Sequence, residues 1–118
     1  MAVQIVNESR EFSNVEKYLM TIAPNMFQMK NLADGEKITI DGYLLFNDIK
    51  DDGTSTEVLS VITPDKKVYA CQSNTFKRSV YDICELFENK PVTVIKMSGK
   101  TKAGRDYINC FLDIDSVE

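Results

Sequence analysis

One apolar stripe in the second half of the chain does most to restrict its fold. Phe76, Val80, Ile83, Cys84 and Phe87 fall at i, i+4, i+7, i+8 and i+11, the spacing of a single amphipathic helix. Ser73, Asn74 or Thr75 can cap its start, and Asn89 with Pro91 stops it. Strand patterns stand on both sides of this helix. Before it come a long strand over 37–46 and a pair over 57–63 and 67–72 joined by Pro64-Asp65-Lys66, a tight-turn composition. After it come strands over 92–97 and 106–114, joined by Ser98-Gly99-Lys100-Thr101-Lys102-Ala103-Gly104.

In the long strand, Ile38 and Ile40 alternate with Thr39 and Asp41 until Gly42 interrupts. A glycine inside a strand marks a bulge or sharp bend, which lets one strand serve both sides of a small barrel. Beyond it the phase is open, so Tyr43 and Phe46 take no assigned face. Residues 47–55 form a polar, turn-rich connection. The first 35 residues read as a helical extension. Val3, Ile5 and Val6 suit a short edge strand or a docking arm. Ser13-Asn14-Val15-Glu16 is a capping box, and Val15, Tyr18, Leu19 and Ile22 follow at helical spacing. Pro24 ends that helix; Asn25 opens a second short one through Met26, Phe27, Met29 and Leu32, which Asp34-Gly35 closes. No linker composition separates the extension, so residues 1–118 form one domain, with the extension over 1–35 packed on a barrel over 36–115. Three strands, a helix and two strands is the chain order of the OB-fold. The expected class is therefore mainly β: a five-stranded Greek-key barrel with one helix between strands three and four.

Composition narrows the functional classes. With 118 residues, 43% of them hydrophobic, the chain can bury one core. No apolar run approaches the roughly 20 residues that span a bilayer, and MAVQIVNESREF lacks the features of a secretory leader. A cytoplasmic protein without a membrane partner is expected. Cys71, Cys84 and Cys110 are widely spaced, with no Cys-x-x-Cys pair, and histidine is absent, which argues against structural zinc and for buried thiols in a reducing compartment. Without histidine, the commonest general base and every Ser-His or Cys-His pairing are missing. Gly99-Lys100-Thr101 resembles the end of a phosphate-binding loop, but Val94 stands where the motif needs its first glycine, and no helix follows. The close carboxylate pairs, Asp51-Asp52 and Asp113 with Asp115, have no third partner in sequence and suit a solvated turn and tail. No catalytic residue, metal ligand or cofactor is assigned, and the chain reads as a non-enzyme. A magnesium-dependent nuclease using Asp113 and Asp115 is the catalytic alternative.

Charge gives the positive signal. The chain carries a net −4, yet residues 89–105 hold Lys90, Lys96, Lys100, Lys102 and Arg105 and no acidic residue. A cationic segment kept on an acidic protein points to a polyanion. Period-two geometry sets Arg105, Tyr107, Asn109 and Phe111 on one face of the last strand, with Ile108, Cys110 and Leu112 on the core side. Rings beside cations suit a single nucleic-acid strand, the rings for base stacking and the cations for phosphates. The candidate DNA-binding residues are Lys96, Lys100, Lys102, Arg105, Tyr107 and Phe111, joined on the middle hairpin by Tyr69, Lys66 and Lys67. The competing reading is a solvated hairpin whose neighbouring rings pack under the N-terminal helices. Lys77 and Arg78 read as a solvated helix face.

The stretch SGKTKAGRDYINCFL, preceded by EVLSVITPDKKVYACQSNTFKRSVYDI, resembles small single-stranded DNA-binding proteins of tailed phages that infect Gram-positive bacteria. The similarity runs over residues 25–113 and is firmest at Lys102-Ala103-Gly104-Arg105 and the aromatic strand after it. It implies an OB-fold, sequence-independent coating of single strands in phage replication or recombination, self-association, and a place in the host cytoplasm. Replication or recombination proteins would be further partners. The chain departs from many single-strand binders in having no tryptophan, which leaves stacking to Tyr and Phe. Its acidic tail, 113–118, is much shorter than the partner-binding tails of bacterial relatives. The alternative function is an OB-type interaction subunit of a replication assembly that does not itself touch DNA.

Overall fold

In the computed structural model, which describes residues 2–116, the chain runs β1 (Ala2–Glu8), α1 (Asn14–Thr21), β2 (Phe27–Gln28), β3 (Lys37–Ile40), β4 (Gly42–Ile49), β5 (Ser55–Ile62), β6 (Val68–Cys71), α2 (Asn74–Leu86), β7 (Val92–Lys100) and β8 (Asp106–Leu112). Short 3-10 turns occupy Met29–Asn31 and Ile114–Ser116. The strands form two sheets, one ordered β1-β4-β5-β6-β2 and the other β3-β7-β8. The protein is mainly β, and its radius of gyration is 14.2 Å. Among the described residues no helix is long and apolar enough to cross a membrane. The last two positions of the acidic tail, Val117 and Glu118, lie outside the described residues.

Two apolar layers explain why alternation fades in the central strands. Tyr43 and Leu45 of β4 face the main core with Leu59, Val61, Cys71, Val94 and Cys110. Leu44 and Phe46 face a second cluster with Phe12, Met20, Ile62 and Val68. A strand covered on both faces reads as a continuous apolar run, not an alternating one. Helix α2 closes the main core with Phe76, Val80 and Cys84, and the Ser73 hydroxyl accepts the Phe76 N–H at 3.3 Å as its N-cap. Lys77 departs from the solvated face expected of it. It is buried, and its Nζ donates to the Glu57 carbonyl and carboxylate, both at 3.1 Å, tying α2 to β5.

The extension is less helical than its sequence suggests. Residues 2–8 form an edge strand antiparallel to β4, with a bulge between Ile5 and Asn7. The helix expected from Asn25 is instead a two-residue strand parallel to β6 followed by a 3-10 turn. An eight-residue helix has little stability of its own, and here its apolar side chains are drawn apart. Met29 enters the main core, Met26 packs on the second cluster, and Phe27 stays exposed. On α1 the capping box forms as expected, with Ser13 Oγ accepting from Glu16 N and Glu16 Oε1 accepting from Ser13 N. The packed face is different: Met20 and Leu19 dock, while Val15, Tyr18 and Ile22 point to solvent. The buried Ser60 hydroxyl donates to the Met20 carbonyl and so ties the end of the helix to β5.

One charge cluster fastens the extension. Arg10 reaches Glu16 at 3.0 Å and Asp41 at 3.1 Å, Lys66 reaches the same Glu16 oxygen at 3.1 Å, and the Arg10 guanidinium lies 4.4 Å from the Phe12 ring centre. The Arg10 hydrogen bond, then those from the Ser13 N–H and Lys66, hold Glu16 at a pKa of about 2, against an ordinary 4.5. A depressed carboxylate stabilises the fold above its unfolded pKa and loses that effect as pH falls through the folded one. Glu16→Gln, which keeps a capping acceptor, should therefore lower stability at pH 7 by about 1–2 kcal/mol. The gap to the parent should close as pH drops from 4.5 toward 2, read by thermal melts across that range.

Candidate nucleic-acid interface

Strand β7 continues three residues beyond its expected end, because Ser98, Gly99 and Lys100 pair with Ile108, Tyr107 and Asp106. The connection at the tip shrinks to 101–105, where Thr101 N donates to the Arg105 carbonyl and Gly104 takes φ +83, a left-handed turn conformation suited to glycine. This hairpin forms one wall of a groove of about 870 Å3. Ala70 to Ser73 of the other sheet line it too, with Gln28, which pairs with Ala70, and Lys30. The groove occupies the seam between the two sheets, where β6 and β8 share no ladder; the Ser73 hydroxyl bridges it by donating to the Ile108 carbonyl at 3.2 Å.

Tyr107 and Lys100 stand on the groove wall. The Tyr107 ring fills the space a side chain at Gly99 would need, since a Cβ there would lie 2.7 Å from its hydroxyl. Glycine at 99 thus seats the ring, which remains 38% exposed. Lys100 meets Asp106 at 3.7 Å, but both side chains are solvated, so the pair holds the cation loosely. Lys102 and Arg105 project from the tip and make no ion pair among the described residues. Phe111 shares the outward face of β8, opposite Ile95, and is 55% exposed; it does not line the groove. Ile108, Cys110 and Leu112 turn to the core side.

Lys96 stands apart from the other cations. It is only 3% exposed, and its Nζ donates to the Leu32 carbonyl at 2.8 Å and to Asp34 at 3.3 Å. Ser98, and then Lys96, hold the Asp34 carboxyl below its ordinary pKa. Lys96 therefore straps residues 32–36 across β7. Period two sets Lys96 on the buried face with Val92 and Val94, the one local sign of its role, but its partners lie more than sixty positions away.

The middle hairpin divides. Lys66, in the left-handed region at φ 69, is turned toward Glu16 of α1, while Lys67 is solvated beside Asp65. Tyr69 packs against the main core and meets Phe27 with ring centres 5.4 Å apart. Phe27, Gln28 and Lys30 were hidden by the helical reading of 25–32; an isolated two-residue strand has no period to detect. Of the carboxylates, Asp113 is buried and paired with Lys37 at 3.0 Å, and Asp115 is exposed. Among the described residues no group of three His, Cys, Asp or Glu could hold a metal ion. Burial pushes the Cys71 and Cys84 thiols up to about 11 and Cys110 to about 12, so all three are protonated and unreactive at neutral pH.

The two kinds of lysine should separate by stability. Lys96→Met keeps the aliphatic stem but orphans the Leu32 carbonyl, and should lower the melting temperature by about 5–15 °C. Lys102→Gln should leave it within about 2 °C. Calorimetry on the two variants checks this. Compared with protein-family models, with curated proteins and with solved structures, the chain matches none of them.

Proposed function

We propose that this protein binds single-stranded DNA without catalysis and without strong sequence preference, in the replication or recombination of a phage genome. The observation that carries the reading is the open groove whose wall pairs an exposed tyrosine, seated on glycine, with the only concentrated basic segment of an acidic chain. Stacking on Tyr107 accepts any base, and phosphates can replace the loosely held Asp106 as the partner of Lys100. Lys102 and Arg105 extend the cationic path beyond the groove. The negative remainder of the surface repels a polyanion and confines it to this side. Lys96 belongs to the framework of the site.

The ladders support an OB-type barrel as its scaffold. Strands β3 and β4 act as one bent first strand that pairs with β7 on one side of Gly42 and with β5 on the other, and α2 lies between the third and fourth barrel strands. We also propose a symmetric dimer. The outer edge of β1 is unpaired with Ile5 and Val6 exposed, and an antiparallel edge can pair with its own copy about a two-fold axis.

Two measurements test these readings. Replacing Lys100, Lys102 and Arg105 together with Gln should weaken oligonucleotide binding for every sequence and reduce the slope of log affinity against log salt by about 2, at roughly 0.7 per lost phosphate contact. Tyr107→Ala should weaken binding by about 1–3 kcal/mol with the slope kept, and Tyr107→Phe much less. Unchanged affinity and slope in the triple variant would remove the hairpin from the site. Sedimentation at micromolar concentration should give twice the 13.4 kDa chain mass, and a monomer would dismiss the dimer.

A further inference from the structure

The outward face of the hairpin continues below Tyr107, beyond the groove. Directly opposed residues of an antiparallel pair share a face. Gly99 with Tyr107, Met97 with Asn109 and Ile95 with Phe111 therefore form successive rows down the β7–β8 ladder. Asn109 is turned aside, its Oδ1 accepting from the Ser79 hydroxyl of α2 and from the Cys110 N–H. Each row thus shows one exposed apolar side chain: Tyr107 at 38%, Met97 at 37% and Phe111 at 55%. Half-buried Ile95 stands beside Phe111 on the neighbouring strand. Both ends of this face are polar. Lys100, Lys102 and Arg105 lie at the tip. At the far end Lys37, opposite Ile95, is paired with Asp113 at 3.0 Å, and the Thr39 and Thr93 hydroxyls meet at 2.9 Å.

The spacing of the rows suits an extended nucleic-acid strand. Successive rows are two residues apart, about 6.8 Å along an antiparallel strand. Stacked nucleotides rise about 3.4 Å each, so setting one side chain as thick as a base between neighbouring bases spreads them to about 6.8 Å. A protein partner fits this face less well. Three exposed side chains on a two-stranded ribbon fall far short of the roughly 20–30 residues that a stable protein interface takes from each partner. The unpaired cations, moreover, lie at the end of the face that adjoins Tyr107, where a polyanion would enter.

We infer that a bound single strand leaves the groove at Tyr107 and continues down the outward face of the hairpin, where Met97 and Phe111 are further stacking positions for its bases. The inference rests on the single-strand reading above and extends it from one stacking contact to three. Lys37, the cation of the Phe111 row, is held by Asp113. This half of the track therefore adds affinity without adding salt dependence.

The chain has no tryptophan, so Phe111→Trp installs a single fluorescent reporter on the face. Its emission should be quenched by an oligothymidylate of about 12 nucleotides, within the range of site sizes for one such barrel. The same substitution at Tyr18, exposed on α1, should respond little. Phe111→Ala should weaken that strand about 5- to 150-fold, the factor expected for one lost stacking contact, with salt slope and melting temperature unchanged. Phe111→Leu, which keeps bulk without a ring, should weaken it as well, and Phe111→Tyr should bind like the parent. Suppose Tyr107→Ala weakens binding, but Phe111→Ala does not or Phe111→Trp is quenched no more than Tyr18→Trp. The track then ends at Tyr107, and the single-strand reading survives alone. If the parent fails to bind even at low salt, both fall. If Phe111→Ala halves the sedimenting mass at unchanged affinity, the face joins two copies of the chain and the inference is overturned. Should Phe111→Ala unfold the protein, quenching of Phe111→Trp decides alone.

Discussion

The chain crosses from one sheet to the other at Asp41 and Gly42, and the rest of the structure is fitted to that crossing. A side chain at position 42 would put its Cβ 2.8 Å from the Phe12 ring and 3.1 Å from Arg10 Nε. The glycine therefore answers a close approach, not an unusual backbone angle. Because the ring lies directly on the backbone there, Phe12 can fill the second apolar cluster while Arg10 stacks on it and reaches back to Asp41 and Glu16. Ser9 seals the same junction, exchanging hydrogen bonds with the Tyr43 backbone at 2.9 Å. Once the long strand turns at this point, β3 carries β7 and β8 away in one sheet while β4 carries β5 and β6 in the other. The groove is the seam left where those two sheets fail to join by a ladder.

Two charge patterns follow from this frame. Cations inside it are paired: Lys77 with Glu57, Lys96 with Asp34 and the Leu32 carbonyl, Arg10 with Glu16 and Asp41. A buried or half-buried charge must find such partners, since leaving it unpaired costs several kcal/mol. Of the cations left to water, Lys100, Lys102, Arg105 and Lys30 lie at or near the seam, while Lys50, Arg78 and Lys90 do not line it. Sorting lysines by partner, and not by position along the chain, thus separates framework from surface, and it removes Lys96 from the set its sequence neighbourhood would place beside Lys100 and Lys102.

Much of the fold was legible without coordinates where signals are local. The stripe through Phe76 to Phe87 sets α2, Ser13 with Glu16 starts α1, and Pro64-Asp65 turns the chain between β5 and β6. The alternation after Arg105 correctly puts Cys110 inside with Phe111 and Tyr107 outside. Each of these depends on residues a few positions apart, whose geometry the backbone dictates. What was not legible involves partners distant in sequence. On α1, Leu19 docks as its spacing suggests while Val15, Tyr18 and Ile22 of the same stripe face water, and the helix end is tied to Ser60, forty residues away.

The sequence alone determined most of the helix and strand segments after residue 36, that the chain is acidic with one basic hairpin, and that it carries no histidine. Tertiary structure decided which lysines are surface and which are struts, whether residues 25–32 coil or extend, and that Gln28 and Lys30 share a groove with the hairpin. The physical reason is one of range. Period and capping are set by neighbours a turn or a pleat apart, whereas burial and pairing depend on what the folded chain brings alongside. For Lys96 that is a carbonyl 64 positions earlier, and for Phe27 it is a tyrosine 42 positions later.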